Sequence, residues 1–258
     1  MSSSESRTTL LICPLWTIIL TGFFTLSSCA DDKWKVDVDQ VFLPIEFSVK
    51  NFNAEIQNLP TSDSIALIQL RNNYPNFLTN YCEDILRIGD SQSKTTIKEL
   101  RQFIAHPDSK ETLLAIDTTS GDEDYLSRIS KDIENGFKRF HTFMPKENIP
   151  EVIWMNSGFN YAIYPRDEFV AVGLEWFLGP EHPVLKHLPP DKFPQYQQLR
   201  MHPDLLAADA VKGWMLVHFI DRGYTGEKCI DDILYWGKIL WLLGKCMPEQ
   251  FDHVLMDW

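Results

Sequence analysis

Positive charge is in short supply in this sequence. Its 258 residues carry 24 Lys and Arg against 36 Asp and Glu, a formal net charge of −12. Such an excess repels phosphate backbones and argues against a nucleic-acid partner. It also rules out a basic patch as the means of holding an anionic lipid surface. Cysteine is scarce as well, with 5 in the chain and no C-x-x-C pair, so neither a zinc knuckle nor a redox pair is indicated. There is no H-E-x-x-H, no G-x-S-x-G and no glycine-rich phosphate loop. Those absences leave no motif for a zinc peptidase, a serine hydrolase of the nucleophile-elbow type or a nucleotide-binding enzyme. No internal repeat is visible either, which excludes a solenoid.

What is present begins at the N-terminus. LLICPLWTIILTGFFT at residues 10–25 is followed by LSSCADDKW at Leu26 to Trp34. The apolar run from Leu10 to Leu26 is 17 residues, at the short edge for a spanning helix, and it contains Pro14 and Gly22. A weakly basic start at Arg7, an apolar middle and a small-residue site describe a signal peptide better than an anchor. Leu26-Ser27-Ser28-Cys29 fits a bacterial lipobox, in which a peptidase cuts before the cysteine. The Cys29 thiol then carries diacylglycerol and the freed amine takes a further acyl chain such as palmitate. Two or more chains anchor stably where one gives marginal binding. Residues 1–28 are therefore expected to be a lipoprotein signal peptide, residues 29–34 the lipidated Cys29 and a short tether, and residues 35–258 a single globular domain. The mature chain of 258 − 28 = 230 residues is long enough for a real core.

Periodicity predicts the elements. Residues 34–49 alternate and suggest an extended segment. Helices are expected from Thr61 to before Pro75, across Tyr74 to Gly89, and from a capping box at Thr96-Ile97-Lys98-Glu99 to His106-Pro107. Leu126, Ile129, Ile133, Phe137 and Phe140 recur at three- and four-residue steps and mark the clearest helix, stopped by Pro145. EVIWMNSG, NYAIYP and EFVAVGLE, between residues 151 and 175, read as short strands of an antiparallel meander. Residues 179–194 contain five prolines and read as a loop. Helices follow over residues 204–222 and 228–247. Phe251, Val254, Leu255 and Trp258 open another apolar face that stops at its beginning, which suggests a domain continuing past Trp258. The order is helix-rich, strand-rich, helix-rich, so the expected class is α+β, mainly helical with a small antiparallel sheet.

Candidate sites are weak. His182, His187 and His202 with Glu175 could gather around a metal, but their spacings match no ligand pattern, and solvated loop histidines are the simpler account. Glu168 and Glu175 flank a strand, and their offset of seven sends them to opposite faces, so no catalytic pair is expected. Glu175, inside VGLEWFLG, is expected to bond the amides near Leu178-Gly179, which would lower its pKa. Ser157-Gly158-Phe159-Asn160 reads as a turn. Cys82, Cys229 and Cys246 read as buried thiols, with a Cys229–Cys246 disulfide left open. The only site expected is lipid attachment at Cys29, with no catalytic residue, no metal and no cofactor.

The ordered set of the lipobox Cys29, YPNFLTNYCEDILRIG (74–89), FKRFHTFMP (137–145), SGFN (157–160), VGLEWFLG (172–179), FPQY (193–196) and YWGKILWLLGKCMP (235–248) resembles the GldB-type gliding-motility lipoproteins of the Bacteroidetes. The resemblance implies a non-enzymatic envelope lipoprotein, membrane-held through Cys29, with its domain outside the cytoplasm in the periplasm. It implies envelope protein partners in a gliding or associated secretion machine, and a fold like that of zinc peptidases without the zinc motif. The alternative is a divergent metal-dependent, peptidase-like hydrolase of the envelope.

Overall fold

A computed structural model describes residues 34–44, 46–120, 123–220 and 228–250. The chain divides into two units, Met1–Asp37 and Val38–Trp258. Cys29, the signal peptide and the apolar residues after Gln250 lie outside the described residues. In the second unit, strand β1 (Val49–Asn51) is followed by six helices: α1 (Phe52–Gln57), α2 (Asp63–Asn73), α3 (Phe77–Asn80), α4 (Lys94–Ala105), α5 (Pro107–Ser120) and α6 (Glu123–Phe143). Strands β2 (Glu151–Met155), β3 (Ile163–Pro165) and β4 (Phe169–Gly173) come next, then α7 (Gln195–Leu199), α8 (Leu206–His218) and α9 (Cys229–Cys246). No helix among the described residues is long and apolar enough to cross a membrane.

The α+β expectation holds, but the sheet is mixed and not an antiparallel meander. Its order is β1-β2-β4-β3. β1, β2 and β4 run parallel, and only β3 is antiparallel, against β4. β2 and β3, consecutive in sequence, are therefore separated in the sheet by β4, and β1 joins from about a hundred residues upstream. The reason lies in burial. Val152, Trp154, Val170 and Val172 enter one core with α5, α6, α8 and α9. Ile153, Met155, Phe169 and Ala171 enter the other with α1 to α4. A strand covered on both faces reads as a continuous apolar run, the mark of a parallel sheet between helical layers.

Helix α6 is built as its spacing predicts. Ile133, Phe137 and Phe140 are fully buried, and Trp214 of α8 meets Phe137 and Phe140 edge-on at 5.4 and 5.2 Å. The helix expected over residues 74–89 is instead interrupted. After α3 the chain widens into a π turn, Tyr81–Ile85, which turns Tyr81, Cys82 and Ile85 inward together. Helix α5 was not expected at all, because His106-Pro107 reads as a stop. Here Pro107 is the first residue of a new helix, a position where its missing N–H costs nothing. Helix α4 is capped one turn earlier than the expected box, by Ser93, whose side chain accepts from Thr95 N at 3.2 Å.

Candidate binding cleft at the carboxyl edge of the sheet

β1, β2 and β4 end on the same edge, and the chain leaving β2 must pass over the end of β4 to reach β3. Residues 156–162 make that crossing. Gly173, at the end of β4, donates its N–H to Ala162 O at 2.8 Å, and a Cβ there would lie 2.4 Å from the Tyr161 carbonyl oxygen. Only glycine fits so close an approach.

The crossing contains the expected turn, in an unusual form. Gly158 and Phe159 both have positive φ, +62° and +59°, the pattern of a type I′ turn. Phe159 holds a conformation that costs a side-chain-bearing residue about 1–2 kcal/mol. Glu175 supplies the compensation. Its Oε1 accepts from Ser157 N at 2.8 Å, from Phe159 N at 3.1 Å and from the Ser157 hydroxyl. Ser157 Oγ in turn accepts from Tyr161 N at 3.1 Å, and Asn156 Oδ1 from Gly158 N at 2.9 Å. From below, the Tyr81 hydroxyl of the π turn donates to Asn156 O at 2.8 Å.

The partners of Glu175 thus differ from those expected: the amides are those of the crossing, not of Leu178-Gly179. The direction of its pKa also differs. The side chain is fully buried, and burial pushes the carboxyl up to about 7 against the opposing pull of the Ser157 hydroxyl and the loop amides. All three loop donors fall on Oε1, while Oε2 has no partner among the described residues. One oxygen is well solvated by the protein and the other is not, so desolvation prevails.

Above this braced loop lies a cleft of about 860 Å³. Asn156, Gly158, Phe159 and Asn160 form its floor. One wall runs from the end of α4 into the start of α5, with Glu99, Phe103, Asp108 and Glu111. The other is the proline-rich segment, with Val184, Leu188, Lys192 and Phe193. Phe159, Trp176 and Phe193 pack together with centroids 5.6–6.1 Å apart, tying floor to wall.

The other sequence candidates do not converge. His182 and His202 each accept a backbone N–H at 3.3 Å, from Val184 and Asp204, and cap short 3-10 turns. His187 stands 4.0 Å from Glu111, while Glu175 is engaged by the crossing loop. No group of three or more His, Cys, Asp or Glu among the described residues could hold a metal ion. Glu168 is exposed at the start of β4 and Glu175 is buried beyond its end, so they share no substrate. Cys82 and Cys246 are buried free thiols, and Cys229 is exposed, against expectation. Cys229 and Cys246 begin and end α9, about 25 Å apart at 1.5 Å per residue, and cannot form a bond with each other. Asn156 and Tyr81 were missed. The Asn-Ser-Gly turn signal could have drawn attention to the first, but nothing in the sequence announces a π turn.

A family model described as gliding motility protein GldB matches residues 31–258. The chain belongs to that family. The cleft, its floor and Glu175 all lie within the GldB match. No curated protein and no solved structure matches the chain. The zinc-peptidase-like fold that the GldB resemblance implied therefore has no support here.

Proposed function

We propose that this GldB family member is a lipid-anchored envelope protein that supports gliding motility, or an associated secretion machine, by docking another protein in the cleft at the carboxyl edge of the sheet. Cys29 carries the lipid, and the domain works outside the cytoplasm, in the periplasm, without catalysis. The observation that carries this reading is the construction of the cleft floor. A strained turn is braced from beneath, as a contact surface requires, while the two groups with most chemical potential, Ser157 and Glu175, are fully buried and, unlike Asn156, do not line the cleft. A nucleophile or acid that substrate cannot touch does no chemistry. The edge where parallel strands end is also where open sheets of this kind place their ligands.

The test is a photo-crosslinking residue at Gln102, an exposed position lining the cleft, in a gliding host. A discrete protein adduct is expected, together with reduced colony spreading for Phe193→Ala at unchanged protein level. Normal spreading with no adduct at Gln102, nor at Lys192 on the opposite wall, would remove the docking role.

A further inference from the structure

We infer that the cleft takes an extended segment of a partner protein in which large apolar side chains are flanked by Lys or Arg. This rests on the docking role proposed above and adds the chemistry of the partner.

The floor and lower walls are apolar: Ile88, Phe103, Phe159, Val184, Leu188 and Phe193. The upper wall is acidic. Glu99, Asp108 and Glu111 are all exposed there, against a single lysine, Lys192, across the cleft. Glu99 has no ion pair among the described residues, and the other two have only exposed histidines nearby, at 3.7 and 4.0 Å. A ligand meeting this surface gains by placing apolar groups low and cations high, and the −12 chain assists its approach. A second observation points to a peptide. Asn156 lines the cleft and is fully buried, its Oδ1 is engaged by Gly158 N, and its Nδ2 has no acceptor among the described residues. A buried amide donor left over at a binding floor suits a main-chain carbonyl. A sugar fits less well. Phe159 and Phe193, both lining the cleft, cross at 79°, so these two rings form no shared flat platform. The volume lies near the upper end for ligand pockets, room for several residues of extended chain.

The test is fluorescence polarisation on the full chain with three synthetic peptides: one alternating Lys with Phe, one with Glu in place of Lys, and one with Ser in place of Phe. The Lys-Phe peptide is expected to bind at least about tenfold more tightly than either. Glu99→Gln, Asp108→Asn and Glu111→Gln together should erase most of the preference for Lys over Glu. Because all three side chains are exposed, the variant should fold normally, which a thermal melt verifies. A control with Asp117→Asn, Glu168→Gln and Glu181→Gln, exposed acids outside the cleft, should bind as the wild type does. Equal binding of the Glu-Phe peptide would overturn the inference. So would equal weakening by the control, which would reveal nonspecific attraction, or preferential binding of a chitin oligomer in the same cleft. If the Gln102 crosslink forms in cells while the Lys-Phe peptide fails to bind, the docking role stands and the charge chemistry falls. If both fail, both readings fall.

Discussion

Glu175 concentrates the residue-scale argument. It is the group that lets Phe159 hold a left-handed backbone, and its own carboxyl is pushed from its ordinary 4.5 up to about 7 by burial. The sign of the pH effect follows from linkage. In the unfolded chain the group loses its proton near its ordinary value, whereas the folded chain keeps it until about 7. Stability from this group is therefore fully present below the unfolded value and is lost as pH rises toward 7, on the order of 3 kcal/mol in all. Glu175→Gln keeps an acceptor for the loop amides and cannot ionise. Urea titrations at about pH 5 and about pH 8 are expected to show the glutamine variant gaining on the wild type as pH rises. A difference independent of pH would mean that Glu175 stays ionised throughout. Glu175→Ala is expected to be worse than glutamine at both values, by about 1–3 kcal/mol for each donor left without a partner.

At the scale of elements, the packing of α8 on β3 turns on one small residue. A Cβ at Gly213 would sit 2.6 Å from Ile163 Cγ2. That methyl belongs to a β-branched side chain with little rotamer freedom, so it cannot simply swing away. Gly213→Ala gains about 1 kcal/mol of helix propensity and loses about 1–3 kcal/mol to overpacking, and a net loss is expected. Adding Ile163→Ala should restore a favourable effect of the alanine, giving a coupling that a double-mutant cycle in denaturant measures. Strict additivity would place the strain elsewhere. Helices such as α6 and α9 were legible because their stripe repeats within a few residues. Strand partners were not, because β1 is three residues long and finds β2 across α1 to α6. The unbroken apolar runs of β2 and β4 were the available hint of a parallel sheet, and the short turns between the strand-like segments masked it. The turn at Ser157-Gly158 was readable; its tie to Glu175, sixteen or more residues later, depends on the crossing over β4.

At the scale of the whole molecule, the membrane attachment proposed above has to hold a −12 body. Anionic headgroups repel it, and no helix among the described residues can cross a bilayer. The proposed lipid on Cys29 answers this, since two or more acyl chains anchor a protein that no surface charge would hold. A competing source exists on α9, where Ile230, Ile233 and Leu234 are each more than half exposed. An apolar helix face of that kind can lie in a membrane interface without any lipid. The two sources separate cleanly in a bacterial host. If Cys29 is the anchor, Cys29→Ala takes up no labelled palmitate and accumulates as uncut precursor or leaves the membrane after processing, while Ile233→Glu remains membrane-bound. If α9 is the anchor, the outcomes reverse: Cys29→Ala stays on the membrane as a processed chain, and Ile233→Glu is released. The Cys29 outcome is expected, because the short exposed face of α9 offers far less apolar area than acyl chains contributing about 0.8 kcal/mol per methylene.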